Sequence, residues 1–283
     1  MLGSGDLSAA TDRLAAAGCA PGNLAWLEEG VAADLSFAVD PAAARAALEG
    51  ASARTDVVVQ PTATRRKALI VADMDSTMIT VECIDELADY AGIKAEVAAV
   101  TEAAMRGELD FEGALDARVA LLEGLDEAVI AQCLAERVRI MPGAKALVRT
   151  MRAHGAAAVL VSGGFTRFAE PVAARIGFDR AIANRLLVAD GRLTGKVAKP
   201  IVGAATKEET LRAAIADREL TTAQTLAVGD GANDLPMIRA AGLGVAYHAK
   251  PIVAEAAAAR IEHGDLTALL WAQGYARSEW VTG

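Results

Sequence analysis

Three short segments of the sequence concentrate residue types that bind phosphate and metal ions. They are residues 73–77 (DMDST), 162–164 (SGG) and 229–234 (GDGAND). Together they hold several carboxylates, small hydroxyls and glycines. Carboxylates brought together without histidine or arginine repel one another unless a cation lies among them. Hard carboxylate oxygens with room for water suit Mg²⁺ better than zinc. Such a Gly-lined site would suit a phosphoryl group.

Each segment taken alone also has an ordinary structural explanation. An Asp-x-Asp pair after a strand is often a turn in which aspartate caps a helix. Ser-Gly-Gly is more often a tight turn than a phosphate site, and Asp234 could cap the helix that follows it. The combination of the three segments favours the chemical explanation.

Each segment directly follows a short apolar run, which is typical of a buried parallel strand. These runs are residues 68–72, 156–161 and 224–228, and residues 243–247 repeat the pattern. The helices predicted between them lie near 143–154, 166–177, 206–219 and 250–259. This alternation predicts an α/β fold with a doubly wound, Rossmann-like parallel sheet. Ligands bind beyond the carboxyl ends of such strands, so the three segments should meet at one edge.

Three parts of the chain depart from this alternation. Residues 82–136 hold about four helices and no strand, which predicts a helical cap insertion at about residues 80–138. Asp190-Gly191 between two apolar runs predicts a β-hairpin. Residues 1–62, with helices near 7–17 and 41–49, are predicted to form a small N-terminal α+β domain. Pro61 and a basic run then mark the boundary to the main domain, residues 63–283.

The composition excludes several other classes of protein. There are 37 acidic and 28 basic residues, and the formal net charge of −9 argues against a nucleic-acid-binding surface. Cys19, Cys83 and Cys133 are too widely spaced for a disulfide framework or a zinc cluster. No apolar run reaches the roughly 18 residues of a membrane span, and the N-terminus lacks a signal-peptide pattern. We therefore expect a soluble, cytoplasmic protein without a membrane partner.

The segments, in their order along the chain, resemble the motifs of the haloacid dehalogenase (HAD) superfamily. The matching motifs are DMDST at 73–77, VSGG at 161–164, TKEE at 206–209 and GDGAND at 229–234. Their spacing and the helical insertion resemble the phosphoserine phosphatase branch of this superfamily. The resemblance covers about residues 67–270. Residues 1–60 lie where some members carry a small regulatory domain with the ACT amino-acid-binding fold.

This resemblance implies a role for each motif residue. Asp73 would be the nucleophile that forms an aspartyl phosphate, and Asp75 would act as general acid and then general base. Mg²⁺ would be held by Asp73, the backbone carbonyl of Asp75, and Asp230. In the motifs, the residues implied to bind substrate are Ser162, Gly163 through its amide, Lys207 and Asn233, with Asp234 supporting the site.

Lys207 has additional support from the local sequence. Thr206 and Glu209 have the spacing of a capping box, which places Lys207 in the first turn of a helix. A cation is disfavoured there by the helix dipole, so an anionic partner is expected. The alternative is a solvated surface lysine.

Substrate choice is expected to come from the cap. Phe111, Leu115, Arg118 and Leu122 follow i, i+4, i+7, i+11 spacing. Arg118 therefore lies in an apolar stripe, where a charge needs a partner or a cleft. The resemblance implies that Arg118 holds the substrate carboxylate and Glu82 its ammonium group. It also implies that Met105 and Phe111 close over the substrate, although both could equally be ordinary cap core.

The expected function is Mg²⁺-dependent hydrolysis of O-phospho-L-serine to L-serine and phosphate, the last step of serine biosynthesis. One alternative keeps the fold but changes the small phosphomonoester, or transfers the phosphoryl group to a second alcohol. Another is a non-enzymatic amino-acid sensor built on residues 1–60. A sensor should have lost its nucleophile or metal ligands, yet Asp73, Asp75 and Asp230 are present. No nucleic-acid partner is expected, and the sequence is compatible with a homodimer.

Overall fold

The N-terminal residues fold into a helix–strand–strand–helix unit. The computed structural model of the chain describes residues 2–282; the side chain of Met105, expected to close over the substrate, lies outside the described part. The unit consists of α1 (Ser4–Ala16), β1 (Pro21–Glu28), β2 (Ala32–Phe37) and α2 (Pro41–Leu48). β1 and β2 form a two-stranded antiparallel sheet. Asp40 caps α2 by accepting a hydrogen bond from Ala43 N, as its residue type favours.

A parallel sheet forms the centre of the remaining chain. Its strands are β3 (Leu69–Ala72), β4 (Ala157–Phe165), β5 (Arg180–Asn184), β8 (Thr225–Gly229), β9 (Leu243–Tyr247) and β10 (Ala259–Ile261). They run in the order β10-β9-β8-β3-β4-β5. In β3, Ile70 packs into one apolar cluster, whereas Leu69 and Val71 pack into another. Both faces of the sheet are therefore covered, as in a doubly wound fold.

Helices cover these two faces. The helices α7 (Ala144–Ala153), α8 (Thr166–Ile176) and α12 (Ala268–Ala272) contribute buried residues to the apolar cluster that contains Ile70. On the other face lie α9 (Ala204–Asp217) and α10 (Leu235–Ala240). The short α11 (Pro251–Ala256) precedes the edge strand β10. Among residues 2–282, no helix combines the length and apolar character needed to cross a membrane.

The predicted helical cap and hairpin are both present. The cap helices between β3 and α7 are α3 (Cys83–Ala91), α4 (Lys94–Met105), α5 (Phe111–Ala120) and α6 (Ala128–Glu136). The hairpin consists of β6 (Leu186–Ala189) and β7 (Arg192–Val197), and it turns at Asp190 and Gly191 with φ of 49° and 74°. Gly124 N donates to Leu193 O at 2.8 Å, which joins the hairpin to the α5–α6 loop. The predicted α/β fold with a helical cap is confirmed.

Several predicted boundaries are wrong. β5 and β10 have no predicted counterpart, and the helix predicted over 250–259 ends at Ala256, because Ala259 already pairs with Val245 in the sheet. β4 continues to Phe165, so Ser-Gly-Gly lies within a strand and not after it. α9 begins at Ala204 with Gly203 as its N-cap, so Thr206 does not begin that helix.

Candidate active site

Asp73 begins the loop that follows β3 in the middle of the sheet. Its N–H donates to Val228 O at 3.0 Å, so this first loop residue still pairs with β8. The Met74 carbonyl accepts from Met78 N at 2.8 Å, which turns the chain back at once. The turn holds Ser76 in the left-handed region, with φ of 56°. Asp73 is left only 6% exposed, and a carboxylate buried to this extent needs a charged or hydrogen-bonding partner.

Lys207 is that partner. Its Nζ donates to Asp73 Oδ1 and to Asp234 Oδ1, each at 2.6 Å, and its side chain is fully buried. Burial acts to lower the pKa of Lys207, but the two carboxylates outweigh it and raise this pKa above its usual value. The expected anionic partner of Lys207 is thus present. It reaches the site from the start of α9, where Lys207 N donates to Gly203 O at 3.1 Å.

Asp234 is a fully buried residue that ties the last motif to Lys207. Its Oδ2 accepts hydrogen bonds from Asp230 N at 3.1 Å and Gly231 N at 2.9 Å, while its Oδ1 is bound to the lysine. A methyl group on Gly229 would lie 2.5 Å from Asp234 Oδ2. Only glycine therefore allows the carboxylate to approach the end of β8 so closely.

The carboxylates of Asp73, Asp230 and Asp234 form an acidic cluster that could hold a metal ion, with oxygens within 4.8 Å of one another. Among the hydrogen bonds of residues 2–282, Asp73 Oδ2 and Asp230 Oδ2 accept none, whereas both oxygens of Asp234 are used. Thr77 Oγ1 donates to Asp230 Oδ1 at 2.8 Å. Burial and the Asp234 carboxylate raise the pKa of Asp230 to about 6 against this bond. The free oxygens of Asp73 and Asp230 fit a divalent cation.

Asp75 lies beside this cluster and has neutral partners. Its Oδ1 accepts from Cys83 N at 3.0 Å, and its Oδ2 accepts from Ser162 Oγ at 3.2 Å. Burial, and then the Glu82 carboxylate, raise the pKa of Asp75 to about 6, while the bonds from Cys83 and Ser162 oppose the rise. Asp73 and Asp75 are thus distinguished by their surroundings, since an ammonium group contacts only the first. Such a difference separates the roles of paired carboxylates.

A bulge in β4 carries the Ser-Gly-Gly segment. In the pairing with β5, Val161 lies opposite Ile182 and Phe165 lies opposite Asn184. Three residues of β4 therefore stand where β5 has one. A bulge of this kind bends the strand and redirects its backbone groups. It explains why the segment faces the site although the strand has not ended.

The bulge is packed tightly between Asp75 and the cap. Ser162 Oγ accepts a hydrogen bond from Gly164 N at 2.8 Å, and a methyl group on Gly164 would lie 2.7 Å from Asp75 Oδ2. A methyl group on Gly163 would lie 3.2 Å from Phe111 Cζ. Phe111 thus covers the bulge while it remains 39% exposed. In the predicted apolar stripe, the residues that are buried are Leu115 and Leu122.

Glu82 and Arg118 lie near each other on the cap side of the site. Glu82 precedes α3 as its N-cap residue, and its Oε1 accepts from Ser76 Oγ at 2.7 Å. Arg118 Nε donates to Ala114 O at 3.2 Å, and within residues 2–282 no carboxylate oxygen lies within 4.0 Å of its guanidinium. Burial lowers the pKa of Arg118, while the nearby carboxylates of Asp85 and Glu82 oppose this. The guanidinium is therefore available to an anionic ligand.

Three residues of the site are not predicted from the sequence. Thr77 lies inside the first motif, so the sequence does offer a signal for its buried hydroxyl. Cys83 acts through its backbone N–H, which its residue type does not reveal. Asn184 lies outside every motif, yet its Nδ2 donates to Gly163 O at 2.8 Å. Asn233, which was predicted, is half-buried in the last motif, with its Oδ1 against Gly231.

Known proteins resemble the chain in sequence and in fold. The model of the haloacid dehalogenase-like hydrolase family matches residues 70–239. A phosphoserine phosphatase from Albidiferax ferrireducens is 50% identical over 207 residues, which cover 71% of this chain and 87% of the relative. One from Streptomyces coelicolor is 47% identical over 242 residues, covering 85% of this chain and 59% of the relative.

A solved structure of a substrate-bound phosphoserine phosphatase complex superposes on the chain with a TM-score of 0.67. It is 38% identical, and the match covers 72% of this chain and 97% of that structure. Some relatives are considerably longer than this chain. The match spans 59% of the Streptomyces coelicolor relative and 56% of a phosphoserine phosphatase from Mycobacterium tuberculosis.

Proposed function

The chain belongs to the haloacid dehalogenase-like hydrolase family, and on this premise we propose that it hydrolyses O-phospho-L-serine to L-serine and inorganic phosphate. The observation that carries the proposal is the state of Asp73. This buried carboxylate has one oxygen on Lys207, and the other accepts no hydrogen bond from the described residues. The phosphoserine phosphatases at 50% and 47% identity support the choice of substrate. The reaction would be the last step of L-serine synthesis.

Two carboxylates have separate roles in the reaction: Asp73 is the nucleophile, and Asp75 is the general acid and then the general base. A carboxylate oxygen of Asp73 attacks the phosphorus, the bond from phosphorus to the serine oxygen breaks, and that oxygen takes a proton from Asp75. A water molecule then attacks the phosphorus of the aspartyl phosphate, Asp75 takes a proton from this water, and the bond to Asp73 breaks. A pKa of about 6 suits Asp75 to both proton transfers. Lys207 stabilises the negative charge on Asp73 and on the phosphoryl oxygens.

A divalent cation would be held by Asp73, the backbone carbonyl of Asp75, and Asp230. The free oxygens of Asp73 and Asp230 support this assignment, because oxygen ligands of this kind suit Mg²⁺. When bound, the ion supplies positive charge that reduces repulsion between the carboxylates and the phosphate. Asp234 supports the site through Lys207 and the backbone of its own loop, since both of its oxygens are already engaged.

The cap residues account for the choice of serine. Arg118 is proposed to hold the substrate carboxylate with its planar fork, and Glu82 to hold the ammonium group. The phosphate would be bound by Ser162, Gly163, Lys207 and Asn233, with Phe111 above it. Three unpaired, buried cysteines suit a reducing compartment, so we place this activity in the cytoplasm.

Phosphate release from a panel of substrates tests the proposal. Phosphoserine, phosphothreonine and phosphoglycolate should be compared in chelator, in Mg²⁺ and in Ca²⁺. We expect phosphoserine to be the best substrate, chelator to abolish activity and Mg²⁺ to restore it. Ca²⁺ should substitute poorly, because it prefers more ligands at longer distances. A better rate with another phosphomonoester would move the assignment to that substrate, and full activity in chelator would contradict the metal site.

A further inference from the structure

Asn184 joins two segments of the site that are distant in sequence. It is the last residue of β5 and only 2% exposed. Its Nδ2 donates to Gly163 O at 2.8 Å and to Val202 O at 3.2 Å, and its Oδ1 accepts from Val202 N at 2.7 Å. Buried backbone groups require partners. The Asn184 side chain thus binds three backbone groups. It uses both hydrogens of its amide nitrogen as donors and its amide oxygen as an acceptor.

The first of these segments is the bulge of β4. Gly163 and Gly164 have no Cβ to restrict their backbone, so something outside them must fix their conformation. The peptide group between them is held at both ends, because its carbonyl accepts from Asn184 and its N–H donates to Ser162 Oγ. A planar peptide held at both ends is fixed in orientation. Asn184 thereby helps to set the direction of the neighbouring Gly163 amide.

The second segment leads into the helix that carries Lys207. Val202 is followed by Gly203, the N-cap of α9, whose carbonyl accepts from Lys207 N. The position of Val202 therefore determines where α9 starts and from where Lys207 reaches Asp73. A methyl group on Gly203 would lie 3.2 Å from Phe111 Cε1, so the same aromatic ring covers both segments.

We propose that Asn184 is a positioning residue that fixes the spacing between the two sides of the phosphate site. One side is the bulge with Ser162 and Gly163, and the other is the start of α9 with Lys207. The inference rests on the proposed function only in that both sides bind the phosphoryl group. Asn184 itself does not contact the substrate. It acts because a misplacement of about 1 Å at such a site can cost about 100-fold in rate.

The substitution Asn184→Asp tests this role with almost no change of shape. It replaces the donor group with an oxygen that faces the carbonyl oxygens of Gly163 and Val202. Hydrolysis of phosphoserine and of p-nitrophenyl phosphate should both fall about 100-fold in kcat/KM, and inorganic phosphate should inhibit about tenfold more weakly. Asn184→Ser is a milder variant that keeps a small polar group, so its losses should be intermediate. It also provides the measurement if the aspartate variant does not fold.

Gln273→Ala is the matched control. Gln273 is also a fully buried amide bound to backbone groups, since it accepts from Lys67 N at 3.0 Å and donates to Leu269 O at 2.9 Å. Lys67 precedes β3, so this amide lies at the opposite end of that strand from Asp73. With kinetics measured well below every unfolding midpoint, this variant should lose stability but keep the wild-type inhibition constant for phosphate.

Two outcomes would overturn the proposal. One is an unchanged phosphate inhibition constant in folded Asn184→Asp or Asn184→Ser, and the other is an equal change in Gln273→Ala. Failure of the proposed function would look different. The wild-type protein would then hydrolyse p-nitrophenyl phosphate but not phosphoserine. Substitution of Asn184 would still weaken inhibition by inorganic phosphate.

Discussion

Asp73 is the proposed nucleophile, and its two carboxylate oxygens have different surroundings, because only Oδ1 accepts a hydrogen bond from Lys207. Asp73→Asn keeps the shape but removes the charge that attacks phosphorus. Turnover should fall by about 10³-fold or more, and rapid quenching with ³²P-labelled phosphoserine should trap no phosphoprotein.

Asp75→Asn is the control, because it keeps the nucleophile but lacks the base for hydrolysis. With p-nitrophenyl phosphate, whose leaving group needs no proton, it should accumulate the adduct. An adduct on Asp73→Asn would place the nucleophile elsewhere.

The raised pKa of Asp230 leads to a second prediction, which concerns how the free energy of unfolding depends on pH. Its pKa in the metal-free protein is raised to about 6, above the unfolded value of about 4. The folded state then binds the proton more tightly, so the free energy of unfolding falls as pH rises from about 4 to about 6. Asp230→Asn removes this titration, and its amide oxygen can still accept the bond from Thr77.

Thermal unfolding of the wild-type protein and of Asp230→Asn, measured across this pH range, checks the direction of this pH dependence. In chelator, Asp230→Asn should be more stable than wild type at pH 7, and the difference should shrink as the pH approaches 4. Excess Mg²⁺ at pH 7 should reverse the order, because only the wild-type carboxylate gains from the ion. A difference in midpoint that is independent of pH in chelator would show that the pKa of Asp230 is not raised.

At the scale of elements, α3 and α5 bring Glu82 and Arg118 to the site. Substitutions at these two residues should impair the hydrolysis of different substrates. Phosphoethanolamine lacks the carboxylate, so Arg118→Ala should damage its hydrolysis much less than that of phosphoserine. Phosphoglycolate lacks the ammonium group, so Glu82→Gln should leave its hydrolysis unharmed or improve it. A hydrogen bond to a charged group contributes about 1.5–3 kcal/mol, which predicts a loss of roughly 10- to 150-fold in kcat/KM for phosphoserine.

Arg118→Lys is the conservative control for this prediction. It keeps the positive charge but loses the planar fork, so phosphoserine hydrolysis should stay impaired although less than in Arg118→Ala. Equal losses for all three substrates in both the Arg118 and Glu82 variants would mean that these residues support the cap structure. The choice of serine would then rest on the relatives alone.

The elements also show what the sequence could predict. The carboxylates of Asp73 and Asp230 follow β3 and β8, central strands whose apolar runs are visible in the sequence, so their meeting at one edge is predictable. The edge strands β5 and β10 are short, β5 is mostly exposed or half-buried, and Arg260 interrupts β10, which leaves no continuous apolar signal. The sequence predicts Lys207 in the first turn of a helix that begins at Thr206, but that helix starts two residues earlier, at Ala204. The contacts of Asn184 depend on a bulge that no local pattern reveals.

At the scale of the molecule, the N-terminal unit is attached to the main body by polar contacts. Arg65 donates to both carboxylate oxygens of Asp34 in β2, at 2.6 and 2.9 Å, and also to Ala272 O at 3.3 Å. Arg45 in α2 donates to Ala257 O at 2.8 Å. The unit has its own small apolar cluster, formed by Leu14, Cys19 and Ala44. We therefore propose a domain boundary near residue 62, with a unit that can loosen without unfolding the main domain.

Arg65→Ala tests this independence. The substitution removes the ion pair to Asp34 and the bonds to the C-terminal segment, so residues 4–48 should exchange amide hydrogens about fivefold faster by mass spectrometry. That factor corresponds to the order of 1 kcal/mol for a partly exposed ion pair. Arg65 precedes β3 and Asp73 follows it, so kcat/KM for phosphoserine should change less than about twofold. Arg66→Ala is the matched control: Arg66 pairs with Glu279 inside the main body, and its loss should leave exchange in residues 4–48 unchanged. If Arg65→Ala lowered activity as strongly as it loosened the unit, the two parts would be coupled, and the N-terminal unit would act on the active site through the sheet.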